Sequence, residues 1–302
     1  MYLTRRELIE LGLAAVATSS AARRAFTQPS ALVTKRIPAT GERVPVIGLG
    51  TRNYRAGADP AELAPYRETL KAFLDAGGTV IDTAPSYGNS ESILGTLISE
   101  LGARDKIFLA TKVDREGKEA GIARMNASLA NLKVPKVDLM QVHNLNDAAT
   151  QLATLREWKA AGKTRLIGVT TSSDRQYPEL EQIIGREKLD FIQVDYALDA
   201  RDADARLLPL AADRGIAVLV NLPFGRGRLF QALGSKPLPD YAKDIACSTW
   251  AQFALKYVVS HPAVTAAIPG MTKAHHAVEN MAAARGPMPD AAMRKRMEQV
   301  LA

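Results

Sequence analysis

The segment Ile216-Ala217-Val218-Leu219-Val220 is an uninterrupted apolar run that ends at the polar residue Asn221. A strand inside a parallel sheet is covered on both faces, so it is apolar along its length and does not alternate. Similar short apolar runs occur at regular intervals along the chain, at residues 46–49, 80–81, 107–110, 137–142, 166–169, 191–194 and 264–268. The sequence therefore predicts a parallel sheet of eight strands.

The segments between these runs have the periodicity of amphipathic helices. One helix face, for example, carries Leu63, Tyr66, Leu70, Phe73 and Leu74. Gly77 follows this helix, at a position where a positive φ commonly ends a helix. Eight strand–helix units predict an α/β protein with a (β/α)8 TIM barrel fold. The doubly wound dinucleotide-binding fold is not favoured, because Asn53 and Phe230 stand where its G-x-G-x-x-G fingerprint requires the third glycine.

Length and composition exclude several classes of protein. The chain has 302 residues, of which 47% are hydrophobic and 24% are charged, so it is not an intrinsically disordered protein. Cys247 is the single cysteine, which excludes an intramolecular disulfide framework and a cysteine-rich zinc site. No apolar run reaches the roughly 18 residues of a transmembrane helix, so we expect no stable membrane insertion. The formal net charge of +7 is compatible with an anionic partner.

The first residues of the sequence have the composition of a targeting segment. Arg5-Arg6 precede residues 11–22, which carry no charge and consist of apolar and small residues. This layout resembles a twin-arginine signal, which exports proteins that have already folded. The alternative is an amphipathic helix on a cytoplasmic protein. We predict a leader and linker over residues 1–33, a barrel domain over residues 34–302, and a periplasmic location.

The polar residues that end the strands carry the functional signal. In a barrel of this kind the carboxyl end of every strand opens onto one rim, so residues far apart in sequence meet there. Three successive strands end in an acid, a lysine and a histidine, and a tyrosine follows the acid closely. These rim residues are Asp82, Tyr87, Lys112, His143, Thr170, Thr171, Gln193 and Asn221.

Around these residues the chain resembles the aldo-keto reductases. Residues 78–95, Gly-Thr-Val-Ile-Asp-Thr-Ala-Pro-Ser-Tyr-Gly-Asn-Ser-Glu-Ser-Ile-Leu-Gly, look like the signature of that family. Further matching blocks, within a similarity that runs from about residue 37 to 301, are Gly48-Leu-Gly-Thr51, Thr111-Lys112, Asp138-Leu-Met-Gln-Val-His143, Gly162-Lys-Thr-Arg-Leu-Ile-Gly168, Pro223-Phe-Gly-Arg-Gly227 and Ile268-Pro-Gly270. The resemblance implies a barrel that binds NADPH without a separate dinucleotide-binding domain and reduces carbonyl compounds.

The resemblance also implies a catalytic role for four residues. Tyr87 is expected to be the general acid, Lys112 to tune it, and Asp82 to hold Lys112. His143 is expected to orient the carbonyl oxygen of the substrate. The set is chemically consistent, because a tyrosine hydroxyl is a weak acid near neutral pH and a neighbouring ammonium favours its ionised form. The expected substrate is a small molecule with an aldehyde or ketone group.

The cofactor implied by the resemblance is NADP(H), and its expected contacts form two groups. At the nicotinamide, Gln193 is expected to bind the carboxamide, and Thr170-Thr171 replace the usual Ser-Asn pair. Asn221 stands where an aromatic ring commonly stacks. At the phosphates and adenine, the expected contacts are Arg226, Arg228, Thr272, Lys273, His276, Glu279 and Asn280. The mouth of the substrate pocket is expected to include Arg52, Asn53, Tyr54 and Asn144.

Other functions fit the sequence less well. We predict no metal site, because no His-x-His pair ends a strand and Lys112 is a poor neighbour for a cation. No nucleic-acid partner is expected, because the basic residues are dispersed and the aromatic residues are few. The remaining alternative is a non-catalytic or weakly active sensor of the same fold that binds the dinucleotide. The sequence leaves the oligomeric state open.

Overall fold

The computed structural model describes residues 30–57 and 59–301 of the chain. Residues Ala31–Ala302 form one compact unit. Nearly all of the leader predicted over residues 1–33 lies outside the described residues. The twin-arginine signal and the periplasmic location therefore stay predictions.

Eight parallel strands form a barrel and follow one another in space in the order in which they occur in the sequence. They are β3 (Leu49–Gly50), β4 (Val80–Asp82), β5 (Phe108–Val113), β6 (Val137–Val142), β7 (Thr164–Thr170), β8 (Phe191–Asp195), β9 (Ala217–Asn221) and β10 (Ala266–Ala267). Parallel bridges between Ile47 and Ala267 and between Gly50 and Gly270 join the first barrel strand to the last. A hairpin of β1 (Thr34–Arg36) and β2 (Arg43–Pro45) precedes the barrel. The predicted (β/α)8 TIM barrel is confirmed.

Helices surround the barrel and connect its strands. The α-helices of the described chain are α1 (Pro60–Asp75), α2 (Ser90–Glu100), α3 (Lys118–Leu132), α4 (Ala148–Ala160), α5 (Tyr177–Arg186), α6 (Leu207–Asp213), α7 (Arg228–Leu233), α8 (Trp250–Ser260), α9 (Ala274–Ala282) and α10 (Ala291–Glu298). Helix α1 begins at Pro60, whose missing N–H is not needed in a first turn, and the Asp59 side chain accepts a hydrogen bond from the backbone of Ala61 at 2.8 Å. Past its end, Gly77 has a φ of +89°, as the sequence predicts.

Two apolar clusters hold the fold together. The larger lies between the barrel and the helices, and the smaller fills the interior of the barrel. Phe108 and Phe191 meet in this interior with ring centroids 5.7 Å apart. Ile37 and Val44 of the hairpin belong to the same interior cluster, so the hairpin plugs the amino-terminal end of the barrel. The carboxyl ends of the strands remain free to carry polar residues.

Strand bounds match the apolar runs best in the middle of the sheet. Strand β6 covers the predicted residues 137–142, whereas β3 and β10 are each shorter than the runs predicted at 46–49 and 264–268. These two strands meet through isolated bridges and not through a continuous ladder. Pro269 lies just past β10 and has no N–H to extend the ladder. Among the described residues, no helix combines the length and apolar character that crossing a membrane requires.

Two helical glycines provide a matched test of the packing around the barrel. A Cβ on Gly95 in α2 would overlap the carbonyl oxygen of Asn131 and the backbone of Leu132, whereas a Cβ on Gly185 in α5 would meet no atom within 4 Å. We predict that Gly95→Ala lowers the free energy of unfolding by about 1–3 kcal/mol through overpacking. Gly185→Ala is expected to raise it by about 0.5–1 kcal/mol, because alanine favours a helix over glycine. Urea unfolding of both variants measures the difference, and equal effects would contradict the packing of α2 on α3.

Candidate active site

A fully buried ion pair lies at the carboxyl ends of β4 and β5. Lys112 Nζ is 2.6 Å from Asp82 Oδ2 and also donates a hydrogen bond to the Thr83 carbonyl oxygen at 2.8 Å. The Lys112 side chain is 0% exposed. Burial by itself lowers the pKa of Lys112, but the opposing interactions with Asp82 and Tyr87 together raise it above its ordinary value. The lysine is therefore an ammonium throughout the physiological range of pH.

The second carboxylate oxygen of Asp82 accepts hydrogen bonds from two amides. Gln193 Nε2 lies 2.9 Å from Asp82 Oδ1, and Gln141 Nε2 lies 3.4 Å from the same atom. From the sequence, Gln193 was predicted to contact the cofactor only, and Gln141 was not among the predicted site residues. The signal for Gln141 was available, because it precedes His143 by two residues and so shares its face of the β6 segment.

Tyr87 and His143 lie above the ion pair. Lys112 Nζ is 5.1 Å from the centroid of the Tyr87 ring, and the Tyr87 and His143 rings meet edge to face with centroids 5.9 Å apart. Ser86 Oγ is 3.3 Å from His143 Nδ1. The structure thus brings together all four residues to which the sequence analysis gave catalytic roles.

The charge state of His143 follows from its surroundings. Burial lowers the pKa of His143 to about 4, and the positive charges of Lys112 and Arg52 act in the same direction, against the carboxylate of Asp114. The imidazole is therefore neutral at neutral pH. A neutral imidazole can bind a carbonyl oxygen through one N–H while its other nitrogen accepts a hydrogen bond.

Four neighbouring cavities open at this end of the barrel. One of them, about 390 Å³, is lined by Asp174, Asp195, Asp199 and Asp202 together with Arg226 and Arg228. The other three border Tyr87 or the pair of Phe224 and Phe230. The first of these three, about 390 Å³, is lined by Asp82, Tyr87, Gln193, Asn221 and Arg226 together with Phe224 and Phe230. The second, about 230 Å³, shares Tyr87 and Arg226 with the first and adds His143 and Thr170. The third, about 400 Å³, shares Phe224 and Phe230 with the first and reaches His276 and Asn280. A larger cavity of about 590 Å³ at the opposite end, near Glu42 and Lys136, contains none of the predicted site residues.

The threonines and the asparagine expected at the nicotinamide lie together. Asn221 Nδ2 donates to the Thr171 carbonyl oxygen at 3.0 Å, and its Oδ1 is buried without a partner among the described residues. Thr170 Oγ1 accepts from the Asn144 backbone at 3.2 Å. Thr171 Oγ1 lies 2.6 Å from Gln176 Oε1, so this hydroxyl holds the loop after β7 and does not face a cavity.

The remaining predicted contacts differ in how they are placed. Lys273 is exposed and caps the amino end of α9, and Thr272 precedes it, half-buried; neither lines a described cavity. Arg226 is exposed and has no ion-pair partner among the described residues, whereas Arg228 Nε binds Asp199 Oδ2 at 2.7 Å. Arg228 is thus engaged with a carboxylate in the described chain, and its expected phosphate contact stays a prediction.

Tyr54 also departs from its expected place. It was predicted at the mouth of the substrate pocket, but it is 0% exposed and packs against Tyr66 in a tilted arrangement with centroids 4.5 Å apart. Its apolar ring gains more from this packing than from a position at the rim. Arg52, Asn53 and Asn144 do line the cavities at this end. No group of three or more His, Cys, Asp or Glu residues with metal-ligand geometry occurs in the described part of the chain.

Comparison with known proteins decides the family. The protein-family model with the description "Aldo/keto reductase family" matches residues 46–301 of the chain. The chain belongs to this family. The predicted family is thus confirmed, and membership places the chain among the oxidoreductases.

Individual relatives agree with this assignment. The chain is 36% identical to aldo-keto reductase YhdN of Bacillus subtilis over 54% of this chain and 53% of that protein, so the match spans about half of the relative's length. It is 30% identical to methylglyoxal reductase YeaE of Escherichia coli over 77% of this chain and 83% of that protein. Among solved structures, an aldo-keto reductase from Klebsiella pneumoniae in complex with NADPH is similar with a TM-score of 0.75 at 28% identity, over 90% of this chain and 95% of that one.

The lowered pKa of His143 makes a testable contribution to the stability of this family member. Because its pKa is about 4 in the folded chain against 6.5 ordinarily, the unfolded chain binds more protons between these two values. His143 therefore lowers stability as the pH falls from 6.5 to 4 and contributes no pH dependence above this window. We predict that His143→Gln reduces the loss of unfolding free energy between pH 7 and pH 4.5, by up to about 2–3 kcal/mol. Urea unfolding at both pH values tests this, and a loss as large as in the parent protein would contradict it.

Proposed function

We propose that the protein reduces aldehyde or ketone groups of small molecules with NADPH, and that Tyr87 is the proton donor. The observation that carries the proposal is the buried Lys112–Asp82 pair next to Tyr87 at the wall of a cleft. A buried ammonium fixed beside a phenol favours the ionised oxygen that remains after proton transfer. This arrangement fits a group that donates a proton to a carbonyl oxygen as negative charge develops there.

Residues of the first cleft fit the nicotinamide end of the cofactor. The unpaired, buried Oδ1 of Asn221 is an acceptor suited to a primary amide, such as the nicotinamide carboxamide. Gln193 and Thr170 lie at the neighbouring strand ends and offer further polar atoms. When bound, NADPH supplies the hydride that the carbonyl carbon receives. Phe224 and Phe230, whose centroids are 5.1 Å apart, give this cleft the aromatic surface that Asn221 does not.

The phosphate and adenine ends fit the residues farther along the rim. Arg226 forms no ion pair within the described part of the chain and borders the first two cavities. Lys273 and Thr272 precede α9, whose amino end favours an anion through its backbone N–H groups and dipole. His276 and Asn280 line the third cavity. Burial and neighbouring His275 lower the pKa of His276, so it acts as a neutral polar contact near pH 7.

Four side chains of the site have separate roles in the proposed reaction. Asp82 holds Lys112, and Lys112 stabilises the Tyr87 oxygen once its proton has moved to the substrate. Neutral His143 binds the substrate oxygen and orients the carbonyl group toward Tyr87. The barrel interior below the pair is apolar, which keeps bulk water away from Lys112.

Small dicarbonyl compounds are the first substrates to test. A relative that aligns over most of its length bears the name methylglyoxal reductase. The second cavity, of about 230 Å³, has room for a molecule of this size. We therefore include small 2-oxoaldehydes in the proposed substrate range.

Tyr87→Phe tests the proton donor. We predict that this substitution lowers kcat for NADPH-dependent reduction of methylglyoxal by about 100-fold or more, because general acid catalysis is lost. The dissociation constant for NADPH, measured by fluorescence titration, is expected to stay within about threefold, since the hydroxyl is not proposed to hold the cofactor. Tyr241→Phe is the control, because its hydroxyl donates to the Arg296 carbonyl oxygen outside the four cavities. NADPH binding without turnover in the parent protein would instead favour the non-catalytic alternative.

Lys273→Gln tests the proposed phosphate contact. Removing this charge is expected to weaken NADPH binding by about tenfold while leaving NADH binding nearly unchanged, because only NADPH has the 2′-phosphate. Lys118→Gln serves as the control, since Lys118 is exposed on α3 and pairs with Glu157. Titration with each cofactor gives the ratio of the dissociation constants of the variant and the parent protein, once for NADPH and once for NADH. An equal loss for NADPH and NADH would show that Lys273 does not read the 2′-phosphate.

A further inference from the structure

The cavity that contains Tyr87 and His143 has a lining suited to an anion. It includes two arginines, Arg52 and Arg226, and no aspartate or glutamate. Leu222 is its single aliphatic side chain, although pockets for small molecules are usually lined mostly by apolar groups. A small polar ligand with negative charge is complementary to such a lining.

The guanidinium of Arg52 is available to a ligand. Among the described residues it has no hydrogen-bond or ion-pair partner, whereas Arg124, Arg165 and Arg228 each bind a carboxylate. A guanidinium offers a planar fork of N–H donors that matches a carboxylate. An unpaired one at the wall of a pocket is a ready binding group.

The backbone that carries Arg52 is fixed relative to the proposed catalytic residues. Thr51 Oγ1 donates to the Asp82 carbonyl oxygen at 3.1 Å. Arg55 Nη1 donates to the carbonyl oxygens of Arg52 and Tyr87, at 3.0 Å and 2.7 Å. This cross-link joins the loop after β3 to the loop after β4, so Arg52 keeps a defined position beside Tyr87.

The charges around the cavity act on the imidazole of His143. Burial lowers the pKa of His143 most; Lys112 and Arg52 lower it further, and Asp114 opposes these two charges. Asp114 is itself paired with Arg124 at 2.8 Å. The potential at the imidazole is therefore positive.

We propose that this cavity binds carbonyl compounds that carry a carboxylate, and that Arg52 binds that carboxylate. The inference rests on the proposed function and adds a substrate class to it. A carboxylate is favoured over a phosphate because one free guanidinium balances one negative charge. A phosphate dianion would also need Arg226. Both arginines line the cleft assigned to the cofactor as well as this cavity, and Arg226 is the one proposed to meet the cofactor phosphates. Oxo acids of a few carbon atoms meet these conditions.

The test compares two substrates that differ in charge and hardly in shape, 4-oxobutanoate and 4-oxobutanamide. In the parent protein kcat/KM is expected to be at least about tenfold higher for the acid, as one charged hydrogen-bonded contact allows. Arg52→Gln should remove most of this preference through KM for the acid, with kcat/KM for the amide within about twofold of the parent value. Arg52→Lys should keep part of the preference, and Arg156→Gln, remote and paired with Glu187, should keep all of it.

Each other outcome has a defined meaning. Equal use of acid and amide by the parent protein, or a preference that survives in Arg52→Gln, overturns the inference and leaves the proposed function intact. A loss that falls equally on both substrates and on KM for NADPH also overturns it, because Arg52 would then serve the cofactor. The ratio of kcat/KM for glyceraldehyde 3-phosphate to that for glyceraldehyde gives the preference for a phosphate. If this ratio exceeds the ratio of the acid to the amide, the choice of a carboxylate is overturned. Failure of every carbonyl compound to oxidise NADPH overturns the proposed function itself.

A second experiment applies if Arg52→Gln does not fold. Competitive inhibition of the parent protein and of Arg52→Lys by succinate, but not by succinamide, supports the inference, and equal inhibition by the two compounds overturns it.

Discussion

The buried ion pair between Asp82 and Lys112 is the constraint on which the rest of the rim depends. A charged pair withdrawn from water is tolerated only when its remaining hydrogen-bonding groups are also satisfied. Here the Thr83 carbonyl oxygen accepts from Lys112, and the amides of Gln141 and Gln193 donate to the free oxygen of Asp82. These groups come from the β4–β5 rim, β6 and β8, so the pair is complete only when the strands have the register observed, in which Lys112 lies beside Gln141. The order of the barrel and the chemistry of its rim are therefore fixed by the same interactions.

Strand periodicity and topology account for what could be predicted from the sequence. Asp82, Lys112 and His143 lie at or next to the carboxyl ends of strands in a parallel barrel, and Gln193 lies two residues before the end of β8. Parallel topology alone brings such strand ends to one rim. What each side chain touches depends on rotamers and on neighbours from other strands, which periodicity does not specify. Gln193 was therefore predicted to meet the cofactor, whereas its contact in the described chain is with Asp82. Gln141 was overlooked, although two-residue spacing from His143 marks it as a neighbour.

Loop residues were harder to predict because tertiary partners set their positions. Tyr54 has an aromatic side chain that a rim can accept, yet packing on Tyr66 removes it from solvent. Arg228 has the same charge as Arg226 two residues earlier, but of the two only Arg228 pairs with a carboxylate among the residues that the structure describes, that of Asp199. The sequence shows two equivalent cations there, and the fold makes one structural and leaves the other free. A similar distinction separates Arg52, whose guanidinium has no partner among the described residues, from Arg55, which is bound to three carbonyl oxygens.

The positive potential of the rim also limits where a proton can come from. Protonated His143 would add a third cation beside Lys112 and Arg52 in a half-buried site, so the imidazole stays neutral at neutral pH. A neutral imidazole with Nδ1 facing Ser86 can present Nε2–H to a carbonyl oxygen, which orients the substrate without supplying net charge. On the proposed function, the proton must then come from Tyr87, the hydroxyl next to the buried ammonium. On this proposal, burial together with the charges of Lys112 and Arg52 keeps the histidine neutral, and the proton transfer is left to the tyrosine.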